Sequence, residues 1–357
     1  ERGFGGAVSK GASTVRMVDL IGCGALNVDL VYRLPRTSPL WQEVGPPGSE
    51  QMMDAALRRV VDEMLGDTQP VRAGGGQAAN TVAAMARLGY RAAMIGRVGA
   101  DDEGRYALAE LAPGDGRLVA RAGETGRVYV LLDEDGERRN LVWSAANDAF
   151  ALADVPKRPP RARFALFTSY VGDGPLAAQL ALLERLDPET QVAFDPGEIY
   201  ARKGVKRFLP ILQRCAYLFA SEHELEVMCG LSLPESLDFV LSAGVNLVVC
   251  KMGSRGARLV GRRVDMYVPP LPAEVVDVTG AGDVFAAGFL AALVEQVGLE
   301  SAGRLGAWAA SRGISGIGRS GYPDAKAWRA RLAEERGERL AATALERDGE
   351  VSRGRLQ

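Results

Sequence analysis

The segment Asp277-Val-Thr-Gly-Ala-Gly-Asp283 runs directly into VFAAGFLAALVEQVG, residues 284–298. Gly280-Ala281-Gly282 therefore stands just ahead of an apolar stretch that predicts a helix over roughly 282–296. The first N–H groups of a helix have no partner within it and lie at the positive end of its dipole, so these amides predict an anion site. Asp283 falls in the first turn, beside that anion. A carboxylate there is either a helix cap or a base that takes a hydroxyl proton during phosphoryl transfer. Local physics leaves both open.

Outward from this segment the chain alternates between strand-like and helix-like runs. MVDLIGC (17–23), closed by Gly22 and Gly24, predicts a buried first strand. QAANTVAAMARL (77–88) predicts a helix, AAMIGRV (92–98) a strand, and a helix follows through Tyr106–Leu111. Strands FALFTS (164–169), QVAFD (191–195), AYLFAS (216–221) and NLVVCKM (246–252) come later, with helices expected near 175–186 and 203–214. A hairpin near 256–268 and a second Ala-rich helix near 300–313 complete the alternation. The order predicts an α/β fold, a parallel sheet with helices on its faces.

Between about Arg117 and Trp143 the pattern changes. VYVLLDEDGERRNLVW (128–143) holds two strand-like runs around Asp135-Gly136, a strong hairpin signal. It predicts a small antiparallel sheet standing off the main one. Thr37 to Arg72 carries a Pro/Gly-rich entry and an amphipathic helix near Met52–Leu65. A charged helix is expected from about Asp324, and residues 1–15 and 345–357 are expected to be disordered tails.

Composition excludes several classes. In 357 residues, Lys+Arg 43 against Asp+Glu 45 gives a net charge of −2, so neither nucleic acid nor an anionic membrane is the expected partner. The longest uncharged apolar stretch, Val284 to Val294, falls short of the ~20 residues that span a bilayer. With no apolar core in the first sixteen residues, no signal peptide is expected. Cys23, Cys215, Cys229 and Cys250 form no C-x-x-C pair and are expected as reduced thiols of a cytoplasmic protein. His223 is the single histidine, which removes His-based triads and multi-histidine zinc sites. The chemistry must run on carboxylates, backbone amides, Lys/Arg or a bound cofactor.

Other segments carry weaker signals. No G-x-x-x-x-G-K-[ST] occurs, and Asn27 stands where a dinucleotide fingerprint starting at Gly22 needs its third glycine. Gly316-Ile-Gly318-Arg-Ser-Gly321 matches that fingerprint but follows a helix near the chain end, so it reads as a loop. Asn27 and Asp29, two apart in an extended run, suit vicinal hydroxyls or an ordinary polar turn. Gly74-Gly75-Gly76 ahead of Asn80 predicts a close backbone approach at a helix start, with Asn80 either a polar helix residue or a ligand contact. Ser221-Glu-His-Glu224 opens another helix, its acids suiting that end on dipole grounds. Lys251-Met-Gly253-Ser-Arg-Gly256 is either a turn or the lining of a phosphate channel.

Together and in this order, DVTGAGDVFAAGF (277–289), GGGQAANTVAAMARLG (74–89), GALNVDLV (24–31), GRVGADDEG (96–104), DEDGER (133–138) and KMGSRGA (251–257) resemble the ribokinase-like (PfkB) carbohydrate and nucleoside kinase family. The resemblance runs from about Met17 to Arg331. It implies a three-layer α/β/α ribokinase-like fold, one kinase domain over 16–331, with a central mostly parallel sheet and a small β-sheet lid drawn from about 29–45 and 117–146. It implies transfer of the γ-phosphoryl group of ATP to a primary hydroxyl of a small sugar, with Asp283 as base and the Gly280, Ala281 and Gly282 amides stabilising the moving charge. Asn27, Asp29, Gly75, Gly76 and Asn80 would hold the acceptor. Ser221, Lys251, Gly253 and Gly256 would serve the nucleotide, Glu224 would position Mg²⁺ through water, and Asp277 and Thr279 would take a monovalent cation, usually K⁺. Many relatives dimerise through the lid, which implies a homodimer.

Two positions depart from the family pattern: Ser221 replaces the Asn of its Asn-x-x-Glu motif, and Lys251 stands where many relatives have Thr. The long segment between Asp29 and Gly75 resembles the adenosine-kinase-like branch, whereas QAAN after the glycines looks more like sugar kinases. A nucleoside kinase is therefore the alternative, with Tyr32, Trp41 and Trp143 as candidate walls for a base. A catalytically silent sugar-binding protein on the same fold is the third.

Overall fold

Strand residues alternate between two hydrophobic cores, and this places a sheet between two helical layers. Leu20, Met94, Phe164, Leu166, Phe219 and Val249 enter one core; their chain neighbours Ile21, Ile95, Ala165, Phe167, Leu218 and Val248 enter the other. A period of two with both faces apolar is the pattern of a buried parallel sheet. In this computed structural model residues 17–47 and 50–338 are described. Both expected tails lie outside the described residues.

The large sheet comprises β1 (Val18–Cys23), β5 (Ala92–Val98), β6 (Asp115–Arg121), β9 (Ala162–Thr168), β10 (Gln191–Asp195), β11 (Cys215–Ser221), β12 (Leu247–Lys251), β13 (Ala257–Gly261) and β14 (Val264–Val268). Its order is β14-β13-β12-β11-β10-β9-β1-β5-β6. Only the β12–β13 and β13–β14 pairs are antiparallel. The small sheet comprises β2 (Asn27–Arg33), β3 (Glu50–Met52), β4 (Val71–Gly75), β7 (Gly126–Leu132) and β8 (Arg138–Trp143), ordered β3-β8-β7-β2-β4.

Helices α1 (Leu40–Val44) and α2 (Ala55–Leu65) belong to the excursion between β2 and β4. Helices α3 (Gln77–Arg87), α4 (Asp102–Glu110), α10 (Ala281–Val294) and α11 (Leu299–Gly313) contribute to the first core. Helices α5 (Gly174–Arg185), α6 (Gly197–Ala201), α7 (Leu209–Leu212), α8 (Glu222–Cys229) and α9 (Leu233–Ala243) contribute to the second. Residues 325–338 are also helical. The arrangement is the expected α/β one, a large mostly parallel sheet between helices with a second, small sheet.

Three segments differ from the sequence expectation. Residues 117–121 fall in β6 of the large sheet, where Leu118 and Val119 pair with Ile95 and Gly96, so the hairpin of the small sheet begins at Gly126. The helix expected near 203–214 is a 3₁₀ turn, Val205–Phe208, followed by the single turn α7. Pro210 sits in the first turn of α7, where its missing N–H costs nothing, but it cannot continue an earlier helix. The helix expected from Met52 starts at Ala55, capped by the Asp54 side chain, which accepts from Leu57 N at 2.8 Å. Glu50–Met52 is instead the short edge strand β3.

Candidate active site

A cleft of about 620 Å³ opens at the carboxyl ends of β1, β9, β10, β11 and β12 and is roofed by β7 and β8 of the small sheet. Open α/β sheets bind ligands at this edge because helix starts and loops converge there. The floor holds Val278 to Asp283; the roof presents Val128, Val130, Arg138 and Val142.

Gly280 is the cap of α10 and takes a left-handed backbone, φ +73°, which a side chain would strain. That turn aims the start of α10 into the cleft. Ala281 N donates to Val278 O at 3.2 Å and Asp283 N to Gly280 O at 3.0 Å. Among the described residues the Gly280 and Gly282 amides take no backbone acceptor, so these are the N–H groups left for an anion.

Asp283 is 7% exposed and accepts a hydrogen bond from Asn80 Nδ2 at 2.9 Å. Thr81 Oγ1 donates to its carbonyl at 3.3 Å. These contacts join α3 to α10 and account for a buried polar residue at Asn80. Burial first, and then the Asp195 carboxylate, push the Asp283 carboxyl up to about 7; Asn80 and Lys251 oppose the shift. A carboxylate at that value is poised to take a proton near neutral pH.

A second charge cluster lies behind the anion turn. Lys251 Nζ donates to Asp195 Oδ2 at 2.7 Å and lies 4.0 Å from Glu224 Oε2. Its stem packs against Gly282, where an added Cβ would lie 3.2 Å from Nζ. Despite burial, the neighbouring carboxylates hold Lys251 above its ordinary value, so it stays charged. Gln77 Nε2 donates to Asp195 Oδ1 at 3.2 Å, and Ser169 Oγ donates to Gln77 Oε1 at 2.8 Å. Ser221 and Glu224 form a capping box: Glu224 N donates to Ser221 Oγ at 3.1 Å and Ser221 N to Glu224 Oε2 at 2.6 Å. Ser221 pairs with Lys251 across β11 and β12.

The acceptor candidates sit at the start of the small sheet. Asn27 and Asp29 lie on one side of β2 and both line the cleft. Asn27 Oδ1 accepts from Asn147 Nδ2 at 2.7 Å. Burial pushes Asp29 up to about 7, with Arg319 the largest opposing influence. The three consecutive glycines have three different reasons. A Cβ on Gly74 would come within 2.6 Å of Arg319 Nη1, and one on Gly75 within 2.0 Å of Asp29 Oδ1. Gly76 has φ +98°, and a Cβ there would lie 2.1 Å from Ala25 O.

Of the residues expected at the site, Asn27, Asp29, Gly76, Asn80, Glu224, Lys251, Thr279, Gly280, Ala281, Gly282 and Asp283 line one cleft. Gly75 lies behind Asp29. Ser221, Gly253, Gly256 and Asp277 are outside the lining: Gly253 and Gly256 shape the turn after β12, and both Asp277 oxygens accept amides, from Thr279 at 2.9 Å and Gly318 at 3.1 Å. The three aromatic wall candidates are not in the lining either. Tyr32 stacks on Tyr129, Trp41 Nε1 donates to Pro35 O at 3.0 Å, and Trp143 lies under the Arg58 guanidinium.

Sequence reasoning missed Asp195, Gln77, Arg138 and Arg319. Asp195 was legible only as the end of a strand, and Arg319 lay in a glycine motif whose usual meaning did not apply. Arg138 Nη1 donates to Thr279 Oγ1 at 2.5 Å, tying the small sheet to the anion turn.

The pfkB family carbohydrate kinase model matches residues 51–321, which contain β4, α3, β8 and the whole anion turn. The chain belongs to the pfkB family of carbohydrate kinases. An uncharacterized sugar kinase of Archaeoglobus fulgidus is 32% identical over 248 residues, 67% of this chain and 98% of that protein. An ATP-dependent ribose-1-phosphate kinase of Halopiger xanaduensis is 33% identical over 62% of this chain and 73% of its own. A nucleoside kinase of Methanocaldococcus jannaschii is 30% identical over 66% and 78%. Among solved structures, a probable sugar kinase from Rhizobium etli superposes with a TM-score of 0.75 at 24% identity, covering 88% of this chain and 99% of that one. A ribokinase from Thermotoga maritima superposes with a TM-score of 0.70 at 22% identity, covering 89% and 100%. The fold of this pfkB kinase is ribokinase-like. Among the described residues no helix is long and apolar enough to cross a membrane.

Proposed function

We propose that this kinase transfers the γ-phosphoryl group of ATP to a primary hydroxyl of a small sugar. The observation that carries the proposal is Asp283, buried, hydrogen-bonded to Asn80 and one residue past the free amide of Gly282. Asp283 accepts the acceptor's hydroxyl proton as the oxygen attacks phosphorus. The Gly280 and Gly282 amides, with Ala281 between them, stabilise charge on the moving phosphoryl group. Asn27, Asp29 and Asn80 hold the acceptor, with Gly75 and Gly76 leaving room behind them. Lys251 reaches the phosphates, and Ser221, Gly253 and Gly256 shape the nucleotide end.

Mg²⁺ neutralises the triphosphate when bound. Glu224 fits it as one carboxylate of a mainly water- and phosphate-coordinated ion, since its Oε2 is already engaged by the Ser221 amide. A monovalent cation at Asp277 and Thr279 would share oxygens that already accept hydrogen bonds, the Asp277 carboxylate from Thr279 N and Gly318 N and Thr279 Oγ1 from Arg138. No step is assigned to it.

The small sheet acts as the lid over the acceptor. A homodimer through it is supported by the exposure of Met52 and Val71 at its two edge strands and of Val60 and Met64 on α2. Four unpaired cysteines fit a reducing, cytoplasmic setting. A nucleoside acceptor is the second reading. It is supported by the aliphatic roof of Val128, Val130 and Val142, which can pack a base.

The test is ADP release from Mg·ATP against pentoses, hexoses, sugar acids, sugar phosphates and nucleosides, with Asp283→Asn alongside. Acceptor-dependent release lost in Asp283→Asn is the expected result. A nucleoside-only signal selects the second reading, and silence from a folded protein that binds both ATP and a sugar selects a sugar-binding protein.

A further inference from the structure

The Gly316-Ile-Gly318-Arg319-Ser-Gly321 turn, which no step above uses, delivers a buried cation to the back of the cleft. Arg319 is 6% exposed, and among the described residues it forms no ion pair with a carboxylate. Its Nε and Nη2 both donate to Asn80 Oδ1, at 3.2 and 3.1 Å, and Nη1 donates to Glu110 O at 2.8 Å. Arg87 Nη1 holds its carbonyl at 2.8 Å. Gly74 leaves the space that the guanidinium fills.

A cation buried without a paired carboxylate is costly, so its retention calls for a role. Two connections supply one. Asn80 has one oxygen and one NH₂ end, and a guanidinium can only donate. With its oxygen taken by Arg319, the amide must turn its NH₂ toward Asp283. Among the charges acting on Asp29, Arg319 is the largest.

We propose that Arg319 is a positioning residue for phosphoryl transfer, holding the Asn80 oxygen so that the amide turns its NH₂ toward Asp283. The proposal rests on Asp283 as the base. Without Arg319, Asn80 is free to rotate and present its oxygen to the carboxylate. The other groups facing Asp283 are Asp195 and Glu224, which disfavour its charge, Lys251, which favours it, and Tyr322. Loss of the Asn80 donor therefore moves Asp283 to a higher pKa.

The experiment is the pH profile of kcat/KM, with acceptor KM, for Arg319→Met, Arg319→Lys, Asn80→Ala and the Arg319→Met/Asn80→Ala double variant. Arg319→Met is expected to move the acidic limb upward by about half to one pH unit, a roughly three- to tenfold loss at pH 6 against at most about twofold at pH 8. Acceptor KM rises as well. Arg319→Lys restores KM in part but not the limb, since a lysine keeps the charge and loses the fork. In the Asn80→Ala background, Arg319→Met shifts the limb no further. An unmoved limb in folded Arg319→Met, or additive shifts in the double variant, overturns the proposal.

Should Arg319→Met fail to fold, Gly74→Ala carries the test, because its Cβ displaces the guanidinium without changing charge. An unmoved limb and KM there overturn the proposal equally. Asp283→Asn in parallel separates the two claims. Turnover surviving in Asp283→Asn overturns the base and the limb argument with it; a dead Asp283→Asn beside an unmoved limb in Arg319→Met overturns Arg319 alone.

Discussion

The two ends of the cleft are built in opposite ways. The proposed catalytic end is one contiguous turn, Val278 to Asp283, held on the first turn of a buried helix and braced by Asn80. The acceptor end is assembled from β2, β4, β7 and β8, strands distant in the chain, with Asn27 paired to Gly75 on one side and to Gly126 on the other. Each end nonetheless carries a carboxylate pushed up to about 7, Asp283 on the helix and Asp29 on the strand. Their neighbours differ: Asp283 faces carboxylates and a lysine, whereas Asp29 faces Arg319, Asp277, Glu50 and Arg138. In the proposed reaction the same burial would serve a proton acceptor at one end and a hydroxyl-binding group at the other.

Substitutions at the two ends should separate in kind. Asp283→Asn is expected to lower kcat by roughly 10²–10⁴, the usual worth of a general base, while acceptor binding measured by calorimetry persists. An equal loss of binding would show the two ends to be one unit. Asp29→Asn is expected to raise acceptor KM about tenfold or more, with a smaller effect on kcat, as fits the loss of a hydrogen bond to a charged group. A pure kcat effect would move Asp29 into the chemistry. Gly75→Ala is expected to act in the same direction and more weakly, because its Cβ must push the Asp29 carboxylate aside.

Stability and activity should run in opposite directions with pH. Both carboxyls stand near 7 in the fold against an ordinary 3.8. Between those values the folded chain holds more protons than the unfolded one, so stability falls as pH rises through this window. The ligand-free protein should be more resistant to urea at pH 5 than at pH 8, while activity requiring ionised Asp283 should decline below about 7. Asp283→Asn should stabilise the ligand-free fold by roughly 1–3 kcal/mol at pH 8 and by about half as much or less at pH 5. A stability gain equal at both pH values would contradict the placement of Asp283.

How much was legible in the sequence follows the same division. The anion turn could be read because its parts are adjacent: glycines, then a helix, then an acid in the first turn. The alternation of strands and helices revealed the large sheet because both faces of its central strands are apolar, whereas the edge strand β6, DGRLVAR, reads as part of the hairpin. β3 and β4 left no such trace, the first being three residues long and VRAGG carrying one large apolar residue. Asp195 and Arg319 were hidden for a different reason: each matters through partners more than 50 positions away, Lys251 and Asn80, and spacing along the chain does not encode those meetings. The candidate aromatic walls were misread on the same ground, since Tyr32 stacks on Tyr129 within the small sheet and Trp143 packs under Arg58 of α2.

Only Gly24, Ala25 and Leu26 connect β1 to β2, and the link is tethered on both sides. Tyr170 OH donates to Gly24 O at 2.8 Å, while the Asn147 side chain accepts from Leu26 N at 3.0 Å and donates to Leu26 O at 3.1 Å and to Asn27 Oδ1. The conformational entropy of Asn27 is thereby surrendered when the chain folds rather than when an acceptor arrives. In the proposed reaction the acceptor would meet a contact already ordered, and most of the freedom left to be lost would be its own.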